Sequence, residues 1–105
     1  KLNNLIVFVD YNKMQLDGAL TDIIDIGDVS KKWDAFGFFV KNVDGHNMEE
    51  IHNAIEEGKK QGKPTAIILN TIKGKGVSVI ENAGYKNHSM GLTDEQLKEA
   101  LENLK

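Results

Sequence analysis

Three places in this chain carry residue types and spacings suited to chemistry. Asn12 and Met14 stand two residues apart, just past the apolar run Leu5 to Val9. A side-chain amide oxygen and a main-chain carbonyl at that spacing can point at one cation. Mg2+ takes about six oxygens, usually including water and phosphate. Two neutral ligands are too few, so a carboxylate from elsewhere and phosphate oxygens would have to complete the shell. Asp10 is a further candidate ligand. The alternative for Asn12 is an Asx turn ending a strand, and for Asp10 a turn held by hydrogen bonds to backbone. The second place is Lys73 to Gly76 (KGKG). Glycines let a backbone approach a phosphate, and ammonium groups supply charge. The segment lacks Walker A spacing and its final Ser/Thr, so it is not a P-loop; its alternative is a solvated basic loop. The third is His88, which follows polar residues in a loop. An imidazole there can bind a phosphate oxygen or a substrate hydroxyl and move protons near neutral pH, or be an ordinary exposed loop histidine. His46 and His52 have plainer readings, a strand-to-helix turn (Asp44-Gly45-His46) and a half-exposed helix position. Glu49, Glu50, Glu56 and Glu57 form a solvated acidic face, with Glu56 and Lys60 an i,i+4 pair.

The elements that must position these residues follow from pattern. Residues 4–10 read as a parallel strand buried on both faces, and in open α/β sheets ligands bind past the carboxyl ends of strands. Residues 11–27 read as irregular. Asp28 or Ser30 caps a short helix over residues 31–36 that buries Trp33 and Phe36, and Gly37 ends it. Residues 38–43 form a second strand. Asn47 with Glu50 is a capping-box pattern, and Met48, Ile51, Ala54 and Ile55 share one face of the next helix. Residues 66–69 form a third apolar strand, and 77–80 read as extended. Thr93 with Gln96 opens a last helix with Leu97, Ala100, Leu101 and Leu104 at helical spacing. The order βαβαβ implies an α/β fold: a parallel sheet with right-handed crossovers and helices on its faces. Three strands and three helices barely cover both faces, so the reading favours additional sequence or another subunit. The chain also begins almost on its first strand, which suits a piece of a larger domain.

The 105 residues bound the chain at one domain. The net charge is −3 and all 13 basic residues are Lys, which argues against nucleic acid as partner and leaves no guanidinium fork for phosphate. There is no cysteine, which excludes disulfides and Cys-based metal sites. No leader-like segment or membrane-length apolar run is visible, so cytoplasm is expected, with no membrane partner. The Asn87-His88-Ser89 sequon is set aside on that ground.

Four ordered blocks carry a resemblance. Residues 10–18 (DYNKMQLDG) resemble the second half of the thiamin-diphosphate motif of transketolases, which opens with GDG and closes about 30 residues later at an Asn-containing strand end. Trp33 to Gly37 (WDAFG) with Phe38 resembles the family's FxAFGW block. Residues 43–46 (VDGH) match its DGH block, and residues 64–76 (PTAIILNTIKGKG) its PTAIIxxTxKGKG block. Asn87-His88-Ser89-Met90 and a terminal helix then follow, as in the N-terminal subunit of split bacterial transketolases. The resemblance implies a partial thiamin-diphosphate-binding fold. Residues 1–105 would be the C-terminal part of a diphosphate-binding domain, with the GDG part absent. It implies that the side chain of Asn12 and the carbonyl of Met14 ligate Mg2+, that Leu16 sits against the thiazolium ring, and that Lys73 lies near cofactor or donor substrate, with Lys75 facing solvent. It makes His88 catalytic and cofactor-binding. Here the sequence departs in two ways: one extra residue precedes the histidine, and the usual His-Gly reads His88-Ser89. The acidic Mg2+ ligand of GDG and the glutamate that activates the cofactor's aminopyrimidine are also absent.

The implied enzyme moves a two-carbon ketol unit between sugar phosphates with thiamin diphosphate and Mg2+. Its implied partners are the rest of the diphosphate-binding domain, a pyrimidine-binding domain or subunit, and a dimer or larger assembly, and the chain alone is expected to be inactive. The alternatives are a stand-alone, non-catalytic α/β binding module, or a fragment of a related thiamin enzyme such as 1-deoxyxylulose-5-phosphate synthase.

Overall fold

The structure, a computed structural model, describes residues 2–15, 18–19, 22 and 24–105. The chain falls into two compact units. The first comprises Lys1–Asn12 and Ile26–Thr71, the second Lys13–Asp25 and Ile72–Lys105.

The first unit is a three-stranded parallel sheet. Its strands are β1 (Ile6–Tyr11), β4 (Phe39–Asp44) and β5 (Thr65–Asn70), in the order β1-β5-β4. The chain skips from β1 across to β4 and then returns to β5. That reversal, with right-handed crossovers, places the two connecting helices on opposite faces. Register and contacts agree. Lys41, Val43, Thr65, Ile67, Leu69, Ile6 and Phe8 share one face. The helix α2 (Met48–Lys59) packs on β4 and β5 there, burying Val43, Ala54 and Ile67 with Ile6, Ile51, Ile55 and Leu69. Lys41 pairs with Glu57 across that contact at 2.8 Å. On the other face the helix α1 (Val29–Ala35) packs on β4, and Ser30 Oγ accepts from Asn42 Nδ2 at 2.7 Å.

Several expectations change. β1 is an edge strand of this sheet, and α2 reaches over β4 and β5; Phe8 is therefore 49% exposed rather than buried. The strand buried along most of its length is the central β5. Asp28 caps α1, accepting from Lys31 N at 3.1 Å. Trp33 is half-buried edge-on against Phe38, with ring centroids 4.8 Å apart. Phe36, beyond the last helical turn, is 81% exposed. Asn47 caps α2, but Glu50 does not complete the box. The Asn47 N–H already donates to Asp44 O, and the Glu50 carboxylate accepts from Asp44 N at 3.0 Å. Met48, in the first turn of α2, is 69% exposed and leaves the apolar face to Ile51, Ala54 and Ile55. Glu56 pairs with Lys59 at 2.7 Å rather than with Lys60. That hydrogen bond and charge hold its carboxyl below the usual carboxylate range, with smaller help from His52 and Lys60.

The second unit holds a short antiparallel ladder, β2 (Met14–Gln15) with β3 (Gly18–Ala19), against a 3-10 helix (Gly84–Ser89). It also holds α3 (Ser78–Asn82) and α4 (Asp94–Asn103). Residues 78–82 are helical where the β-branched run suggests an extended segment. The Val77 carbonyl takes the first N–H groups, from Ile80 and Glu81, at 3.0 and 2.9 Å. The capping box of Thr93 and Gln96 forms in full. Of the apolar face of α4, Ala100 is buried, and Leu97, Leu101 and Leu104 are exposed.

Candidate functional site

The parallel strands of the first unit end together, with Tyr11 and Asp44 both in register with Asn70. Local bonds tie down this carboxyl edge. Asn70 Nδ2 donates to Val43 O at 3.2 Å, and Gly45 N donates to Asn70 O at 2.8 Å. The Thr71 hydroxyl donates to the Asp10 carboxylate. Asp10 thus joins the ends of β1 and β5 through a side chain rather than through backbone. His46 N donates to Asp44 Oδ1 at 2.9 Å, the strand-to-helix turn expected of that segment. The turn needs Gly45: a Cβ there would collide with Thr71 Cγ2 and lie 3.0 Å from Leu69 Cβ. Asn12 follows β1 at this edge and is half-buried.

The second unit starts at Lys13, whose φ of +61° is left-handed. For a side-chain-bearing residue that costs roughly 1–2 kcal/mol, and such strain concentrates at functional sites. Met14 lies on β2, which rests against the 3-10 helix carrying His88. Lys73 Nζ stands 3.1 Å from His88 Nδ1. The second unit therefore brings together three of the residues singled out from sequence: Lys73 and His88 in contact, and the Met14 strand against the same helix. Lys73 is half-buried and Lys75 exposed. Leu16 lies outside the described residues.

Asn87 is the residue that sequence reasoning misses. It is 8% exposed, and its Nδ2 donates to Ile80 O at 3.0 Å and to Lys73 O at 3.4 Å. Its Oδ1 is buried without a hydrogen-bond partner. A polar tetrapeptide such as Lys86 to Ser89 reads as exposed loop, and nothing in its pattern marks one member as interior. The burial also rules the Asn87 amide out as a glycan acceptor.

An ammonium and an imidazole beside a glycine turn suit an anionic oxygen, so Lys73 and His88 fit a diphosphate. A side-chain amide such as that of Asn12 and a backbone carbonyl such as that of Met14 are each oxygen types that Mg2+ takes. Among the described residues no group of three His, Cys, Asp or Glu could hold a metal. No helix among them is long and apolar enough to cross a membrane.

Parallel strands, crossover helices on both faces and polar residues at the carboxyl edge define an α/β ligand-binding fold of the doubly covered kind. The family profile described as the thiamine diphosphate binding domain of transketolase matches residues 1–104. The chain belongs to this transketolase family. It is 49% identical over 105 residues to the 6-deoxy-6-sulfo-D-fructose transketolase subunit SqwG of Clostridium sp. (strain MSTE9), covering 99% of this chain and 38% of that protein. It is 40% identical over 105 residues to an apulose-4-phosphate transketolase subunit of Actinobacillus succinogenes, covering 100% and 38%. The chain thus spans about two fifths of the length of these relatives. Its fold matches a crystal structure of transketolase from Campylobacter jejuni with TM-score 0.87 and 35% identity, over 99% of this chain and 16% of that one.

Proposed function

We propose that this chain is the C-terminal part of the diphosphate-binding domain of a transketolase. The whole enzyme would transfer a two-carbon ketol unit between sugar phosphates. Bound thiamin diphosphate supplies the reactive carbon and the electron sink. This chain's own residues bind and orient. Lys73 and His88 donate to anionic oxygen of the cofactor or the donor sugar, and the Asn12 side chain and Met14 carbonyl contribute two oxygens to Mg2+. By the family resemblance, Leu16 would be the residue against the thiazolium ring. The acidic metal ligand comes from the GDG part of the domain, and the activating glutamate from a pyrimidine-binding domain or subunit. The active unit is at least dimeric and works in the cytoplasm. In this family sugar-phosphate recognition draws on Arg and His residues of other segments; this chain has no Arg.

The observation that carries this reading is the Lys73–His88 contact beside the Met14 strand, in a chain of this family. The test is Asn12→Ala and Lys73→Ala in the complete enzyme, titrated with thiamin diphosphate and Mg2+. Each should raise the cofactor concentration for half-maximal activity by tenfold or more, about 1.4 kcal/mol. Unchanged cofactor affinity in both would overturn the assignment. The 105-residue chain alone should show no turnover.

A further inference from the structure

We propose that Lys73 fixes His88 in the tautomer protonated on Nε2, so that His88 meets its ligand as a hydrogen-bond donor. A lysine ammonium has three donors and no acceptor. At 3.1 Å from Lys73 Nζ, His88 Nδ1 can only accept. A neutral imidazole that accepts at Nδ1 carries its proton on Nε2.

The contact is built rather than incidental. Asn87, next to His88 in the 3-10 helix, donates to the Lys73 carbonyl. One residue of the pair therefore grips the Lys73 backbone while the other receives its side chain. Asn87 also holds the Ile80 carbonyl, at 3.0 Å, which fastens the same helix to α3. The residue after Lys73 is equally constrained. Gly74 has φ +82°, and a Cβ there would lie 2.6 Å from Ile80 Cγ2 and 3.1 Å from Glu81 N. Lys73 is thus held at its carbonyl, at its following residue and at its ammonium, whereas Lys75, two positions on, is exposed.

The consequence is chemical. The remaining ammonium protons and His88 Nε2–H are then all donors, on either side of the ring, with no basic nitrogen open. Such donors take a phosphate or sugar oxygen, and His88 in this state acts as a donor rather than as a resting base. The class of ligand rests on the function proposed above; the tautomer does not. Lys73 is a positioning residue toward His88, in addition to any contact of its own with ligand.

The test is ring-nitrogen NMR of the protein labelled with 15N-histidine, without cofactor. It is read at about pH 8, where an ordinary imidazole is neutral. The chain has three histidines, and His52, exposed on α2, serves as the averaged reference. His88 should show one fixed Nε2–H pattern in the unsubstituted protein. Lys73→Met should collapse it to the averaged pattern of His52, and Lys73→Arg, which also only donates, should keep it. A proton on Nδ1, or averaging in the unsubstituted protein, overturns the proposal even if every variant fails to fold. So does an unchanged pattern in Lys73→Met, and averaging in Lys73→Arg counts against it. A fixed Nε2–H together with unchanged cofactor affinity in Lys73→Met would support the tautomer and refute the cofactor-binding role of Lys73.

Discussion

Asn87→Asp changes one atom's chemistry and leaves the shape alone, which makes it the sharpest probe of the second unit. The wild-type amide gives both protons away, to Ile80 O and Lys73 O. A carboxylate there has no proton to give and faces two carbonyl oxygens. A buried acceptor left without a donor costs about 1–3 kcal/mol. Ile80 O keeps a second donor, Ala83 N at 3.2 Å, and the bond to Lys73 O is long, at 3.4 Å, so the total is about 1–3 kcal/mol near neutral pH. Burial beside two acceptors must also raise the new carboxyl's pKa in the folded state. A raised folded pKa means that the folded form binds the proton more tightly. Stability is then retained at low pH and lost as pH rises through the folded value, at up to about 1.4 kcal/mol per pH unit. Acidification should therefore rescue the variant, because the protonated acid can again donate to Ile80 O. Amide-exchange protection of Gly84–Ser89, compared with wild type at about pH 8 and about pH 5, reads both effects. Wild-type protection at the higher pH, or a deficit that does not shrink at the lower, would refute the bracket role of Asn87.

Other expectations are more local. Gly45→Ala should cost about 1–3 kcal/mol by overpacking, measured by urea titration, and Thr71→Ser in the same chain should recover much of it by removing the colliding methyl while keeping a hydroxyl for Asp10; no recovery would mean that the collision lies elsewhere. Ile67→Ala, at a fully buried position of β5, should cost about 2–5 kcal/mol, whereas Phe36→Ser should stay within about 0.5 kcal/mol. Lys59→Met should let the Glu56 carboxyl titrate back toward its ordinary value in a carboxyl NMR titration; in wild type the small contribution of this exposed pair is present above the unfolded pKa and lost on acidification.

How legible all this was in the sequence varied with the range of the force involved. Caps and turns are decided within a few residues, and Asp28, Gly37, Asn47 and the Thr93–Gln96 box stand where their chemistry placed them. The parallel α/β sheet followed from alternating apolar runs and helix periods. Strand order was not readable. An apolar run looks alike at a sheet's centre and at its edge, so β1 and β5 read alike, whereas among the described residues β5 is central and β1 an edge strand. Val77 to Ile80 shows the limit of propensity. Its β-branched residues favour a strand, yet the left-handed turns at Gly74 and Gly76 deliver the chain to a position where Val77 O starts a helix. Of the candidate site, Lys73 and His88 were singled out by residue type, but their contact spans fifteen positions and no spacing rule predicts it. Asn87 stayed hidden because its role is to satisfy backbone carbonyls of distant residues.

The position of β5 has a consequence for how the molecule comes to be. β1 and β4 do not pair with each other; each pairs with β5, so Ile6 and Phe39 must both wait for Thr65. On the ribosome, the pairings of β1 and β4 with β5 wait until the last of these three strands has emerged. β4, α2 and β5 can close among near neighbours, whereas β1 must close the longest loop in the sheet, which makes its docking the slow step. Until β5 arrives, the side of β1 that β5 will pair with lacks that cover, and the timing of synthesis decides how long it does.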